Sequence, residues 1–321
     1  MNGPYASLQI KDFRVFIIAR LCITLAIQIQ GTVVGWQVYE LTKDPLSLGL
    51  IGLAEAIPAI SVSLYAGHIA DIIERKKIIL LTILALFFCS AALLFFTLEP
   101  GKFALAYGVL PIYMVIFMSG VARGFLSPAT FSFMPQLVPR NLYGNAVSLN
   151  STFWEVAAIG GPMLAGFLYG FLGVTIAYLA DVLLVAASLG FYLSIPKKPL
   201  PPVSAEQGIV EKIKAGLRFV FNNQIVLSAI SLDLFAVLFG GAIALLPIFA
   251  GEILKVGPEG LGFLRAAPAI GALLMAFFIA HNPIRKNMGK ILLWCVAGFG
   301  LSMIGFGLST NFWLSMGLLI M

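Results

Sequence analysis

The sequence contains little charge. Only 11% of its 321 residues are Asp, Glu, Lys or Arg, whereas 60% are hydrophobic. A soluble globular domain usually carries about a quarter charged residues, so this composition excludes that class. The net charge of +6 does not indicate nucleic acid as a partner. The basic residues stand in short segments between long apolar runs, which is the pattern that orients a membrane protein.

Signatures of nucleotide, metal and disulfide chemistry are also missing. No GxxxxGK[ST] segment is present, which argues against a nucleotide-driven pump. The three cysteines, Cys22, Cys89 and Cys295, lie within apolar runs and read as small buried hydrophobes. His68 and His281 stand at loop edges without a cluster of possible ligands. We therefore expect no enzymatic activity, no cofactor and no metal site.

Long apolar runs are what the sequence has in abundance. Nine of them are long enough to cross a hydrocarbon core of about 30 Å. They cover residues 15–39, 46–70, 78–98, 104–126, 146–170, 174–195, 225–250, 259–280 and 290–309. A tenth run begins at Phe312 and is too short to span, so we expect the chain to be C-terminally truncated, either as a fragment or as a natural truncation. The pattern predicts an all-α membrane protein with many spans.

The basic residues predict its orientation. With the N-terminus in the cytoplasm, most of them fall on the inner side, and the outer loops hold only Lys43, Lys102 and Lys255. The inner set is Lys11, Arg14, Arg75, Lys76, Lys77, Arg140, Lys197, Lys198, Lys212, Lys214, Arg218, Arg285, Lys286 and Lys290. We expect a multi-pass protein of the cell membrane (inner or plasma membrane) with a cytoplasmic N-terminus.

An internal repeat divides the chain. A shift of 210 residues without a gap places Gly52 on Gly262 and Pro58 on Pro268, and it aligns the basic pairs at 75–76 and 285–286. Repeated halves are common in secondary transporters. We predict a six-helix half over residues 1–195 and a cytoplasmic linker over 196–224, with an amphipathic helix near 206–221. An incomplete second half covers residues 225–321 and holds helices seven to nine and the start of the tenth.

A short polar segment, GHIADIIERKK, separates the second and third runs at residues 67–77. It resembles the signature G-x-L-A-D-R-x-G-R-K/R of the major facilitator superfamily, with Ile72 and Glu74 in place of Arg and Gly. The resemblance implies a fold of two six-helix halves that work by alternating access. It also implies a cytoplasmic latch. A turn that only sets topology is the alternative. The latch residues are Gly67, Asp71, Arg75 and Lys76.

A second motif, AAIGGPMLAG at residues 157–166, resembles the exporter signature G-x-x-x-G-P-x-x-G-G in the fifth helix. Gly161, Pro162 and Gly166 match it. They predict a flexible, closely packed contact between the halves, and packing alone is the alternative. The segments RGFLSPA at 123–129, MPQLVPR at 134–140 and YELT at 39–42 resemble the enterobactin-exporter-like branch, whose members export drugs and siderophores.

Seven charged residues fall within the predicted spans. An unpaired charge at the bilayer centre costs at least about 2.5–3.5 kcal/mol, so these side chains should pair or face the bundle. Glu55, Glu155 and Asp233 are candidates for proton coupling, and fixed charge pairs that only orient helices are the alternative. For Asp181 we favour the structural role. The arginines of the set are Arg20 and Arg265, which are close enough to a span end to snorkel, and Arg123.

The resemblance implies a substrate cavity lined mainly by the first, fourth, seventh and tenth helices. The candidates are Gln28, Gln30, Arg123, Asn150, Trp154 and Asp233. Gln28 and Gln30 are about 200° apart around a helix, so only one of them should face the cavity.

These features predict proton-driven efflux of a small amphipathic molecule, such as a drug, siderophore or metabolite. We expect a monomer in the lipid bilayer, with a small-molecule substrate and protons as the coupling ion. A lipid or lysophospholipid flippase of the same fold is one alternative. A non-transporting membrane scaffold or inactive fragment is another.

Overall fold

The computed structural model describes residues 5–98, 107–198, 209–239, 241–282 and 287–321, and within these ranges the chain is helical and has no strand. The side chains of His68 and Asp71 and the basic pair at 285–286 lie outside what it describes. The helices are α1 (Lys11–Thr42), α2 (Pro45–Ile72), α3 (Arg75–Leu98), α4 (Leu110–Phe133), α5 (Tyr143–Phe167), α6 (Val174–Ser194), α7 (Ile209–Asn222), α8 (Gln224–Phe239), α9 (Ala242–Ile248), α10 (Gly257–His281), α11 (Met288–Leu308) and α12 (Phe312–Ile320).

Nine helical stretches in the described ranges are long and apolar enough to cross a membrane. The predicted all-α polytopic fold is therefore confirmed. The fourth span was expected from residue 104, and residues 104–106 lie outside the described part; α4 begins at Leu110, and Pro111 occupies its first turn. Proline suits that position because its missing N–H has no partner there in any case. The predicted amphipathic segment near 206–221 corresponds to α7, with residues 206–208 outside the described part.

The first six helices form a bundle. α1 packs against α5 and α6, α2 against α4, and α3 against both α4 and α6. Near the N-terminal end of α1 the core is built on aromatic rings, including Phe16, Phe133 and Tyr192, all fully buried. Many large apolar side chains, such as Ile60, Phe88 and Phe131, lie on the outside of the bundle instead. An apolar exterior of this kind is suited to lipid.

A second core joins this bundle to the helices that follow. Ile29 and Val33 of α1 belong to one buried apolar cluster with Leu261 and Leu264 of α10 and Phe306 of α11. α10 packs against α5 and α12, and α12 also packs against α11. The α9 end of the seventh predicted span continues into one π-helical turn, Phe249–Ile253. α9 and α10 thereby face α1, α2 and α5 across an internal cavity.

Candidate functional site

A cavity of about 470 Å³ lies where α1, α2, α4 and α5 face α9 and α10. Four charged side chains line it, and they come from four different helices. Gln28, Thr32 and Trp154 add polar or aromatic surface, and proline and alanine side chains of α10 complete the wall. The four charged residues are Glu55, Arg123, Glu155 and Arg265.

Glu55 of α2 and Arg123 of α4 form an ion pair in this wall. The two helices approach closely because α4 has a glycine at position 120. A Cβ atom there would meet the Glu55 carbonyl oxygen and lie 2.9 Å from the Pro58 ring. A small residue at a helix contact lets two backbones approach within a membrane. Gly120 thus allows the contact that brings the two charges together.

The same arginine is tied to a buried polar network through Gln30. The Gln30 amide oxygen accepts hydrogen bonds from Arg123 at 2.7 Å and from the Ser119 hydroxyl at 3.3 Å. Its amide nitrogen donates to Asp181 Oδ2 at 3.4 Å and to Ser90 Oγ at 3.3 Å. Asp181 is only 1% exposed, and its Oδ1 has no hydrogen-bond partner. Gln30 therefore connects the cavity wall to a carboxyl group buried behind it.

Arg265 of α10 faces α1 across the cavity. One guanidinium nitrogen donates to the Thr32 hydroxyl at 3.2 Å, and a Cβ atom on Gly31 would lie 3.6 Å from the same nitrogen. Among the described residues, no carboxylate lies within 4.0 Å of this guanidinium. Snorkelling to the interface, which the sequence suggested for Arg265, is not what the structure shows, because the side chain lines the cavity.

The remaining predicted site residues divide into two groups. Gln28, Trp154 and Glu155 line the cavity with the ion pair, and one carboxylate oxygen of Glu155 is buried without a partner. Gln30, Asn150 and Asp233 are not among the lining residues. Gln30 is buried in the network, and the Asn150 side-chain oxygen is buried without a partner. Asp233 is exposed on α8.

Beyond the cavity, α5 and α10 touch at the end of the molecule that carries the α5–α6 turn. A Cβ atom on Gly166 would lie 2.5 Å from the Pro258 carbonyl oxygen and 3.1 Å from Gly262 Cα. A Cβ atom on Gly262 would lie 2.5 Å from the Pro162 carbonyl oxygen. Backbone atoms cannot move aside as a side chain can, so this contact requires glycine on both helices.

Hydrogen bonds close the same end of the molecule. The Tyr39 hydroxyl of α1 donates to Glu252 Oε1 at 3.4 Å in the π-helical turn after α9. Glu40 accepts hydrogen bonds from the Trp36 indole at 2.7 Å and from the Tyr169 hydroxyl. The Gly166–Gly262 and Tyr39–Glu252 contacts therefore close the bundle at the end that carries the α5–α6 turn.

A family model described as a transmembrane secretion effector matches residues 2–321. The chain belongs to this family. It is also similar to an enterobactin exporter of Shigella dysenteriae, with 26% identity over 92% of this chain and 70% of the relative. A staphyloferrin A transporter of Staphylococcus aureus is 23% identical over 84% of this chain and 67% of the relative. These findings confirm the predicted superfamily and its enterobactin-exporter-like branch.

Another relative, an uncharacterized transporter of Bacillus subtilis from the same superfamily, is 24% identical over 68% of this chain. The match spans about half, 53%, of that relative. Two solved structures share the fold of this chain. One is a bacterial homologue of the lysosomal transporter Spinster, with a TM-score of 0.68, 15% identity and coverage of 96% of this chain and 71% of that one. The other is a D-xylose–proton symporter, with a TM-score of 0.68, 16% identity and coverage of 99% and 79%.

Two basic residues of the polar segment between the second and third spans bind the ends of other helices. Arg75 donates to the Ser132 carbonyl oxygen at 2.9 Å, at the end of α4. Lys76 is 8% exposed and donates to the carbonyl oxygens of Leu193, at 3.0 Å, and of Ile195, at the end of α6. Basic side chains at a helix C-terminus satisfy carbonyl groups that have no partner inside the helix. Arg75 and Lys76 thus hold α4 and α6, a role that the sequence did not reveal.

Arg265 and Thr32 are cavity residues that the candidate set omitted. Arg265 had a signal in the sequence, because it is a charge inside a predicted span and aligns with Glu55 in the internal repeat. Both members of that aligned pair line the cavity. Thr32 gave no such signal, since one threonine in an apolar run is common in membrane helices.

Proposed function

We propose that this chain is part of a proton-driven exporter that moves a small amphipathic molecule (a drug, siderophore or metabolite) by alternating access. The observation that carries the proposal is the Glu55–Arg123 ion pair in the wall of a cavity between two sets of helices. Membership of the secretion effector family and the similarity to siderophore transporters support export as the direction.

The cavity suits a small organic substrate. Its volume of about 470 Å³ lies in the range of roughly 300–1,000 Å³ that is usual for small-molecule sites. Trp154 offers an aromatic face, and the wall also holds apolar side chains of α1, α9 and α10. With the N-terminus in the cytoplasm of the cell membrane, as the basic residues predict, the closed end faces outward. The cavity then receives substrate from the cytoplasmic side.

Glu55 is the proposed site of proton coupling. When its carboxylate is ionised, Arg123 neutralises it. When a proton enters, Glu55 no longer holds the arginine by charge, and Arg123 keeps its hydrogen bond to Gln30. Glu155 is a second candidate, because one of its carboxylate oxygens is buried without a partner. For Asp233 the proposal is weaker, since the side chain is exposed away from the cavity.

Movement is proposed to occur between residues 1–195 and residues 225–321, with 196–224 as the linker. Separation of α5 from α10 at Gly166 and Gly262 would open the closed end, and Gly161 and Pro162 lie in the same part of α5. The segment of Gly67, Asp71, Arg75 and Lys76 is proposed as the cytoplasmic latch. Its two basic residues bind the ends of α4 and α6 within the first six-helix bundle, so the proposed latch depends on Asp71.

One observation favours a lysophospholipid flippase as a second candidate. A groove of about 370 Å³ lies between α2 and α4, and almost all of its surface is apolar. It is lined by Ala54, beside Glu55, together with Tyr113, Met114, Phe117 and Met118. An acyl chain could lie in such a groove while a polar headgroup reached the cavity.

The test uses everted membrane vesicles that contain the full-length protein, with a fluorescent probe of internal acidity. Amphipathic drugs, siderophores and a lysophospholipid are added one at a time after the vesicles are energised. Loss of the proton gradient with a drug or siderophore supports the exporter, and a response to the lysolipid alone supports the flippase. A folded, inserted protein that responds to none of them contradicts transport and favours a non-transporting scaffold. Vesicles without the protein are the control.

A further inference from the structure

We propose that Arg265 forms an anion-binding subsite in the cavity and that the transported molecule carries a carboxylate that binds there. This inference rests on the proposed function, and it adds the chemical class of the substrate. It begins from a difference between the two arginines of the cavity. Arg123 is neutralised by Glu55, whereas Arg265 has no carboxylate within 4.0 Å among the described residues.

The Arg265 guanidinium has unused hydrogen-bonding capacity. It offers five N–H donors, and among the described residues it makes one hydrogen bond, to Thr32 Oγ1 at 3.2 Å. The Thr32 hydroxyl donates its own proton to the Gln28 carbonyl oxygen at 2.9 Å. Thr32 therefore presents a lone pair to Arg265 and holds the guanidinium in place. The donors that remain are available to a group in the cavity.

A carboxylate matches those donors. The planar fork of arginine binds a carboxylate through two parallel hydrogen bonds, which gives both affinity and orientation. The lining carboxylates do not supply the partner, because Glu55 is engaged by Arg123 and Glu155 lies more than 4.0 Å from Arg265. An unpaired charge at membrane depth is costly, so a ligand anion would remove a cost that the protein alone leaves in place.

The subsite lies between helices that must move apart. Arg265 belongs to α10, and Thr32 belongs to α1. A carboxylate bound here would touch one helix from each side of the cavity. The internal repeat aligns Glu55 with Arg265. At equivalent positions, α2 therefore contributes a carboxylate to the cavity and α10 contributes a guanidinium. Anion binding at Arg265 and proton binding at Glu55 are then separate events in one chamber.

The test compares two dyes that differ by one methyl ester. Rhodamine 110 has a free carboxyl group, and rhodamine 123 is its methyl ester. Binding of each to the purified full-length protein is measured by fluorescence polarisation at pH 7.5. We expect rhodamine 110 to bind about tenfold more tightly or better. The preference should disappear in Arg265→Gln, persist in reduced form in Arg265→Lys, and weaken in Thr32→Val.

Arg140→Gln is the control, because it removes an exposed arginine outside the cavity. Equal affinity for the two dyes, absence of binding of both, or a preference that survives in Arg265→Gln would overturn the subsite. An equal loss of affinity for both dyes in Arg265→Gln would also overturn the subsite, since that result would show that Arg265 has a structural role. Proton-linked efflux is tested separately with its own compounds. Failure of the dye test therefore leaves the proposed function in place, and failure of the efflux test leaves the anion subsite in place.

Discussion

Arg123 holds Glu55 in an ion pair, and the same guanidinium donates a hydrogen bond of 2.7 Å to the amide oxygen of Gln30. The pair therefore has one face toward the cavity and one toward a buried network that ends at Asp181. A change of protonation at Glu55 alters the charge next to Arg123. Through Gln30 of α1, this arginine is connected by hydrogen bonds to residues of α3 and α6.

Replacement of Gln30 with Leu should destabilise the protein. The change leaves Asp181 without its amide donor and Arg123 with one acceptor fewer, and a buried polar group without its partner costs about 1–3 kcal/mol. The measurement is thermal unfolding of the purified protein in detergent. Gln28→Leu is the matched control, because that side chain lines the cavity and should cost less. Equal effects of the two changes would contradict the bridging role of Gln30.

Substitution of Gly166 with Ala should weaken the contact between α5 and α10. The new Cβ atom would lie 2.5 Å from a backbone oxygen of Pro258, and overpacking of this kind usually costs about 1–3 kcal/mol. Gly160→Ala is the control, since its Cβ atom would lie 3.8 Å from the nearest side-chain atom. The unfolding temperature reports the change in stability. The rate at which an impermeant maleimide labels a cysteine engineered at Glu259 reports access to the α5–α10 contact. Lower stability and faster labelling only in Gly166→Ala are expected.

The Lys76→Met variant should lose stability through the end of α6. Lys76 is 8% exposed and its ammonium group bonds two carbonyl oxygens there, so removal of this charged donor should cost about 1.5–3 kcal/mol. The neighbouring Lys77 side chain is 64% exposed and lies 3.9 Å from Glu74. Lys77→Met should therefore change stability little. A larger loss in Lys77→Met than in Lys76→Met would show that the helix-end contacts are unimportant.

Asp44 gives a pH-dependent prediction at the turn between α1 and α2. Its carboxylate accepts hydrogen bonds from the Ser47 hydroxyl and from the backbone N–H groups of Ser47 and Leu46, and these bonds hold its pKa below the ordinary value. A lowered pKa means that the carboxylate stabilises the fold above its unfolded pKa of about 3.9 and loses this effect as pH falls through the folded pKa.

Asp44→Ala should accordingly lower Tm by roughly 2 °C at neutral pH and by less in strong acid. Asp44→Asn keeps an oxygen acceptor, so its Tm at neutral pH should lie between those of wild type and Asp44→Ala. Its Tm should not show the pH dependence that comes from the carboxylate. Melting curves from pH 3 to 7 give the comparison. A difference between wild type and Asp44→Ala that stays constant down to pH 3 would contradict the capping role of the ionised carboxylate.

The spans were predictable from the sequence because hydrophobic length alone determines whether a segment can cross a bilayer. The ion pair was not, because Glu55 and Arg123 are 68 residues apart and meet only through the packing of α2 on α4 at Gly120. Asp181 was expected to belong to a fixed charge pair, but it is buried with a hydrogen bond from Gln30 and has no ion-pair partner among the described residues. Its connection to the cavity through Gln30 depends on which face of α1 meets α6, and helical periodicity gives only the angle between residues.

The environment of Arg265 also could not be predicted from the sequence. Its distance from the span end allows snorkelling, and only the position of α10 against α1 turns the side chain toward Thr32. Arg75 and Lys76 looked like determinants of topology because a basic cluster between spans is common. Their bonds to the ends of α4 and α6 join residues 57 to 119 positions apart. A sequence alone does not specify such pairings.

The most direct measurement concerns Glu55→Gln in the full-length protein. Glutamine preserves the size of the side chain, but it can neither carry the charge that pairs with Arg123 nor bind and release a proton. Proton movement driven by an identified substrate is recorded in everted vesicles beside wild type and Glu155→Gln, with equal amounts of folded protein. We predict that Glu55→Gln still binds the substrate and loses at least tenfold in proton-linked efflux. Undiminished proton-linked efflux in Glu55→Gln would contradict the account.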